Sequence, residues 1–373
     1  MKLMHHSVTN FRNYQSISLE LSEGLNLFFG DNGQGKTNFL ESIYYALTAF
    51  PLRNVKEKEL VNWQASPLRL KTMFKREESD RLHELKFATD GAKHFLSLNG
   101  VNYKKHQDLP LRLDVIAFTP DDVLIVKGSP EKRRHYLDQE MSLLVGGYYL
   151  YRKNYYKVLR QRNEVLKAIF RGQEAHNALL PWNSQLAEYG AKLIFSRLEF
   201  LKKLVPMARK VHEYLTKDKK YFNITYQSSF GQVENDDENA LMERYYAFFQ
   251  KYEKEELRRG TSLYGAHRDD LIFYENGIDL RIFGSQGQQR TAILALKIAL
   301  VSYIEVYLKE RPILLLDDVL SELDPYRQQK LLTIIAKKDI QSFITGASLD
   351  FKLNYKLAMR QFNVKEGKII PYL

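Results

Sequence analysis

The chain has 373 residues and no cysteine. That absence excludes disulfide staples, thiolate zinc sites and cysteine nucleophiles, and it fits a reducing compartment such as the cytoplasm. No run of consecutive apolar residues approaches the roughly 20 that a membrane-spanning helix needs, so no span is expected. The first residues, Met1-Lys-Leu-Met-His, lack the long apolar stretch of a secretory signal. There are no internal repeats, no low-complexity tract, and no second cluster of acids and histidines of the kind a nuclease centre uses.

Hydrophobic residues make up 44% of the chain, enough for a folded core, and the length predicts two or three lobes. The net charge is +11. Residues 1–130 carry 17 Lys/Arg against 15 Asp/Glu, residues 131–220 carry 19 against 9, and residues 221–373 carry 20 against 21. Nearly all the excess therefore sits in one block. A polyanion is the expected partner, and nucleic acid is the commonest one. The alternative is a well-solvated helical surface.

The first 130 residues read as strands punctuated by turns. Ile17, Leu19 and Leu21 alternate with polar residues, the period of a half-buried strand. Leu25–Phe29 is a short apolar run. Phe39, Leu40, Ile43, Tyr44 and Leu47 share one helical face, which Pro51 stops. Asp90-Gly91 and Asn99-Gly100 predict hairpin turns, and Asp114–Phe118 a buried strand. From about 131 the period changes. Leu137, Met141, Leu144, Tyr148, Tyr151, Tyr155 and Val158 form one heptad-like stripe, extended by Val165 and Ile169 after a break at Arg162. Its tyrosines are read as core rather than as a stacking platform for bases. Further helices are expected over 183–215, kinked or restarted at Pro206, and around Leu241–Tyr252. After 261 strands and helices alternate. Strands 271–274 and 278–283 form a hairpin about Asn276-Gly277, followed by an apolar helix 291–307, a buried strand 313–316, a helix 326–336, a strand 340–345 and a hairpin about Glu366-Gly367. The expected division is 1–130, a helical basic insertion 131–260, and 261–373.

Gly30, Asp31, Asn32, Gly33, Gln34, Gly35, Lys36 and Thr37 match the phosphate-cradling pattern G-x-x-x-x-G-K-[ST], between a predicted strand and a predicted helix. Backbone N–H groups and a helix amino terminus would hold phosphate oxygens there, Lys36 would reach the β- and γ-phosphates, and Thr37 would hold magnesium. About 280 residues later, Ile313–Leu316 deliver Asp317 and Asp318. Asp317 is the expected second magnesium ligand, and Asp318 is placed to polarise an attacking water. Between them, Gly284-Ser285-Gln286-Gly287-Gln288-Gln289-Arg290 offers a serine hydroxyl, a glycine N–H and a helix start that together can cap a phosphate. The long gap requires the chain to leave the nucleotide core and return to it. It argues against a transporter-coupled ATPase, whose two motifs lie closer together.

The order of these motifs, with Ser321-Glu-Leu-Asp324 resembling a D-loop, resembles the SMC-like ABC ATPases. Phe118-Thr-Pro-Asp-Asp122, Val126-Lys-Gly-Ser-Pro-Glu-Lys-Arg133-Arg134, Tyr136-Leu-Asp138, Gly265-Ala-His267-Arg268-Asp269-Asp270 and Asn10-Phe-Arg12-Asn-Tyr14 narrow the resemblance to the RecF family, from residue 1 to about 350. The resemblance implies an α/β fold, an ABC-type P-loop ATPase head with an antiparallel β subdomain and a helical insertion lobe. It implies a weak, DNA-stimulated ATPase in the bacterial cytoplasm that uses ATP and Mg2+ and dimerises when ATP fills both sites. Ser285, Gly287 and Gln288 would then act on the ATP of the other subunit, and Arg12 would reach the nucleotide phosphates. It further implies binding to single-stranded, double-stranded and gapped DNA, cooperation with RecR and RecO, loading of RecA, and roles in replication-fork repair and the SOS response. Lys127, Lys132, Arg133 and Arg134 are candidates to face DNA. His267 is a candidate sensor of nucleotide state or, alternatively, a structural cap. The chain departs from the family pattern in three places. Ala266 stands where proline is expected. The acidic strand ends Asp317-Asp318 rather than Asp-Glu, consistent with slow turnover. Phe343–Ser348 stands where relatives place a switch histidine. A transporter-type glutamine loop is absent, with Asp121 or Asp122 in its place.

Overall fold

The computed structural model describes residues 1–53, 55–62, 67–76, 79–217, 220–347 and 358–372. The chain divides into two compact units. One comprises Met1–Asp122, Tyr214–Thr216 and Leu300–Leu373; the other comprises Val123–Glu213 and Lys217–Ala299.

The first unit opens with strands β1 (Lys2–Phe11), β2 (Tyr14–Glu20) and β3 (Leu25–Phe29), then helix α1 (Lys36–Thr48). Phe39, Leu40, Ile43, Tyr44 and Leu47 are all buried, as their shared face predicts. Strands β4 (Leu68–Arg76), β5 (Ser79–Thr89), β6 (His94–Leu98), β7 (Val101–Tyr103) and β8 (Val115–Phe118) follow. The Asp90-Gly91 and Asn99-Gly100 turns join β5 to β6 and β6 to β7. Six strands make an antiparallel sheet in the order β2-β1-β4-β5-β6-β7.

The second unit contains α2 (Leu124–Lys127), α3 (Pro130–Leu144), α4 (Tyr148–Phe170), most of α5 (Leu180–Leu215), β9 (Phe222–Gln227), α6 (Glu238–Arg259), β10 (Asp270–Glu275), β11 (Ile278–Asp279), α7 (Leu280–Phe283) and most of α8 (Gln286–Tyr303). The apolar stripe from Leu137 to Val158 belongs to two helices. The break lies at Val145-Gly146-Gly147, where Gly147 adopts φ 79°, and α4 runs unbroken through Arg162. Arg162 stays helical because its charge is matched inside. It donates to Glu256, Asn183 and Ser262, each at 2.7 Å, and lies 4.2 Å over the Phe249 ring. Tyr148 and Tyr155 are fully buried, so this part of the stripe is core. Helix α5 passes through Pro206 without interruption. Strand β9 was not anticipated; it pairs antiparallel with β10 over six positions. The partner of β10 across Asn276-Gly277 is only two residues long, because the chain turns into α7 at Leu280.

The chain returns to the first unit with β12 (Ile313–Leu316), α9 (Pro325–Lys337), β13 (Ser342–Gly346), β14 (Met359–Lys365) and β15 (Lys368–Tyr372). These complete a second six-stranded sheet, ordered β15-β14-β3-β13-β12-β8, parallel except for β15. All four residues of β12 are fully buried, the near-continuous apolar run expected of a central parallel strand. Each such side chain contributes about 2 kcal/mol by leaving water. The segment Gln286–Leu308 is long and apolar enough to cross a bilayer by length and composition, yet 72% of its most apolar window is buried inside the protein. It therefore behaves as a core helix.

Candidate nucleotide-binding site

Parallel strands end their carboxyl termini side by side, where open α/β sheets bind ligands. Here β13 pairs with both β3 and β12. The glycine loop leaves β3, the Asp317-Asp318 pair leaves β12, and Thr345 sits at the end of β13. The loop's shape depends on glycine. Gly30 has φ 147°, and a Cβ there would lie 2.3 Å from the Val364 carbonyl oxygen; Gly35 has φ 117°, and its Cβ would meet Asn13 at 2.7 Å. Tyr14 donates to the Gly35 carbonyl at 2.8 Å, and the Glu366 amide donates to Gln34 Oε1 at 2.6 Å, so flanking turns hold the loop.

Helix α1 starts without a side-chain cap and without acidic residues in its first turn. Its first N–H groups and dipole are left to an anion. Lys36 Nζ arches over the loop to the carbonyls of Gly30 at 2.5 Å and Asp31 at 2.9 Å. Burial lowers its pKa, while Asp318, Asp317 and Asp31 oppose that shift. Thr37 Oγ1 donates to Asp317 Oδ1 at 2.8 Å. The two sequence-predicted magnesium ligands, 280 residues apart, are thus in contact, and both offer hard oxygen donors. Burial raises the Asp317 pKa; the hydroxyls of Thr345 and Thr37 and the charge of Arg53 work against it.

Thr345 was missed as a site residue. Its hydroxyl donates to Asp317 Oδ1 at 2.8 Å and accepts from the Asp318 amide at 2.9 Å, so it ties both acids together. The signal for it was its place at the end of a predicted strand. Asp318 adopts φ 53°, a left-handed conformation that a non-glycine residue holds only under constraint, and Ser321 Oγ lies 3.0 Å from its carboxylate. Ser348, in the stretch that stands for a switch histidine, lies outside the described residues. Asp122 accepts from the Thr119 amide at 2.7 Å and so closes a turn, while Asp121 is exposed. Arg12 is not directed into the loop. Its guanidinium grips buried Glu41 on α1 at 3.0 and 3.1 Å, and Arg53 shares that carboxylate at 2.9 Å.

In the second unit, Ser285 caps α8. Its amide donates to Gln288 Oε1 at 2.9 Å, and the Gln288 amide donates to Ser285 Oγ at 3.3 Å. Buried Gln289 anchors the turn through the Leu280 carbonyl at 2.8 Å. Ser285, Gln286 and Gly287 are exposed. A Cβ at Gly287 would meet nothing within 4 Å, and no positive φ requires glycine there.

The family described as RecF/RecN/SMC N terminal domain matches residues 2–368. The DNA replication and repair protein RecF of Heliobacterium modesticaldum is 39% identical over 349 residues, covering 94% of this chain and 93% of that protein. The protein of the same name from Clostridium tetani is 38% identical over 371 residues, covering 99% and 100%. The chain belongs to the RecF family. A solved structure of the recombination mediator RecF with ATP, in the RecFOR pathway, superposes with TM-score 0.90 at 31% identity over 100% of this chain and 98% of that one. An SMC head bound to the C-winged helix domain of ScpA superposes with TM-score 0.58 at 14% identity, a likeness of fold alone. The architecture is that of an SMC-like ABC ATPase head.

The segments that carry the RecF likeness in the second unit form a buried polar network. Arg197 donates to Asp138 at 2.7 Å, to Tyr226 at 3.2 Å and to the Ala266 carbonyl at 2.8 Å. Asp269 accepts from Tyr226 and from the Ser229 amide, and burial raises its pKa. His267 Nε2 lies 3.2 Å from the Ser262 carbonyl and so must carry the proton; Nδ1 then accepts from Tyr155 at 2.7 Å. Burial lowers its pKa to about 4. The neutral ring acts as a structural bridge in this network.

Two of the four basic residues offered for DNA are placed otherwise. Arg133 is 1% exposed. It makes a two-pronged ion pair with Asp270 at 2.6 and 2.8 Å and donates to the carbonyls of Val126 and Gly128. A guanidinium so enclosed cannot reach a phosphate, which corrects the expectation for Arg133. Arg134 is half-buried and donates to the Asp269 carbonyl at 2.6 Å. Lys127 and Lys132 are exposed.

Proposed function

We propose that this RecF-family protein is an ATP-switched DNA-binding protein of recombinational repair in the bacterial cytoplasm. Two protomers close when each glycine loop holds an ATP and the Ser285–Gly287 segment of the twin caps it. The observation that supports it is the exposed Ser285–Gly287 turn, whose glycine no contact among the described residues explains, together with a glycine loop held by flanking turns. The ABC-type head implies ATP hydrolysis. Lys36, Thr37 and the first N–H groups of α1 bind and orient the triphosphate. Magnesium, when bound through Thr37 and Asp317, supplies positive charge to the β- and γ-phosphate oxygens. Asp318, held by the Thr345 hydroxyl, accepts the proton of the attacking water. With only a short aspartate in that role, turnover is slow and serves as release, and DNA stimulates it.

The 131–260 stretch, with its excess of Lys and Arg, is the lobe assigned to single-stranded, double-stranded and gapped DNA, with Lys132 among its contacts and Lys127, just before it, another. The 1–130 and 261–373 stretches together form the head. RecR, RecO and, through them, RecA are the proposed partners at stalled forks and in the SOS response. Sedimentation and DNA binding with ATP, ADP and no nucleotide test this reading. ATP should promote both the dimer and DNA affinity, and Lys36→Ala should lose both effects. Equal oligomeric state and equal DNA affinity with and without ATP would overturn it.

A further inference from the structure

Glu275, at the end of β10, is 3% exposed, and two donors and a histidine ring nitrogen converge on its carboxylate. Gln288 Nε2 reaches Oε1 at 2.5 Å, Lys220 Nζ reaches the same oxygen at 3.1 Å, and His212 Nε2 lies 3.2 Å from Oε2. Gln288 is also the residue whose amide and side-chain oxygen bracket Ser285. A continuous chain of hydrogen bonds thus runs from Glu275 through Gln288 to the exposed serine. Its other end is fixed. His212 is fully buried on α5, with its ring stacked on Phe222 of β9 at 4.6 Å, and the Tyr221 amide donates to Asn276 beside Glu275 at 2.8 Å. Lys220 and His212 both lie in the block that carries the excess positive charge.

We propose that Glu275 is a positioning residue for the Ser285–Gly287 segment, and that sharing it with Lys220 makes that segment responsive to a bound polyanion. This rests on the reading that the segment caps the partner's nucleotide. The sign follows from geometry. Lys220 and Gln288 donate to one oxygen, and the ammonium draws that oxygen's negative charge to itself, so the neutral amide is held less strongly while Lys220 is there. A nucleic-acid phosphate that draws Lys220 away leaves Oε1 to Gln288 and stiffens the turn. DNA bound near the end of α5 therefore favours the ATP-closed dimer, and by reciprocity ATP favours DNA.

The test is ATP-dependent dimerisation by sedimentation, with binding of a fluorescent ADP as the measure of each protomer's own site. Glu275→Ala should weaken dimerisation about tenfold, the effect of losing one hydrogen bond to a charged group, while ADP affinity stays at the wild-type value. Glu275→Gln, which keeps an acceptor oxygen, should recover part of the loss. Gln288→Ala removes a half-exposed side chain and leaves the buried carboxylate with Lys220. It should weaken dimerisation as much or more, and adding Glu275→Ala to it should cost nothing further. Lys220→Met should reduce the gain in dimerisation that DNA brings. Additive losses in the double variant, or a Glu275→Ala protein that dimerises like wild type while Ser285→Arg does not, overturn the role of Glu275 alone. A Ser285→Arg protein that dimerises like wild type overturns the capping reading on which it rests.

Discussion

Thr345→Val isolates one hydroxyl at the centre of the candidate site. The substitution keeps shape and volume and removes two hydrogen bonds, one to Asp317 at 2.8 Å and one from the Asp318 amide at 2.9 Å. The Asp318 amide then has lost its side-chain acceptor, a cost of about 1–3 kcal/mol, and Asp317 keeps the Thr37 hydroxyl. The strained backbone of Asp318 loses one of the contacts that hold it and keeps Ser321 Oγ. If that energy is felt in the transition state, kcat falls by about 10- to 100-fold. Phosphate release at saturating MgATP measures it. ATP affinity should change by less than about threefold, because Lys36 and the loop amides are untouched. Thr345→Ser should retain most of the rate. A Val variant with wild-type kcat, or one whose ATP affinity falls in proportion to kcat, refutes the reasoning.

Arg133→Met should cost about 3–5 kcal/mol by stranding the Asp270 charge, seen as a fall in Tm of roughly 10 °C; a stable variant with a shallower salt dependence of DNA binding would mean a phosphate contact instead. Asp317→Asn should raise the Tm of the nucleotide-free protein, because burial already disfavours its charged form, while abolishing magnesium-dependent hydrolysis; a lower Tm contradicts this. His267 is held near pKa 4 against an ordinary 6.5 by burial, with Arg268, Arg134 and Arg162 adding to the shift. Its neutral form stabilises the fold above pH 6.5, and that contribution is lost as pH falls toward 4. Between pH 7 and 4.5 the wild type should lose about 2–3 kcal/mol more than His267→Gln in urea unfolding; equal losses contradict it.

The candidate nucleotide site was legible because its signals are local. Eight residues write the glycine loop, and four apolar residues before two acids write β12. What was not legible depends on partners far along the chain. Arg133 in a basic run reads as surface, and only Asp270, 137 positions away, shows that it is enclosed. The stripe through Leu144 and Tyr148 kept helical spacing across Gly146-Gly147, so periodicity concealed a helix break that glycine conformation decides. Arg162 read as a break because a charge interrupts an apolar face; Glu256 makes it a core residue. Strand β9 is short: Phe222, Ile224 and Tyr226 alternate with polar residues over only six positions, and its pairing with β10 is what secures it. Thr345 and Glu275 carry no motif of their own, and their importance comes from what they hold.

Mixing two inactive variants tests whether one triphosphate is shared between two chains. Lys36→Ala disables the loop of its own protomer, and Ser285→Arg disables the cap that its protomer offers to a twin. A mixed dimer has one site with both defects and one with neither. At protein concentrations that force pairing, an equal mixture should therefore recover ATP hydrolysis, up to about a quarter of the wild-type rate, since half the dimers are mixed and each keeps one sound site. If the mixture hydrolyses no more ATP than the separate variants do, the triphosphate is not shared between two chains, and the proposed switch is wrong.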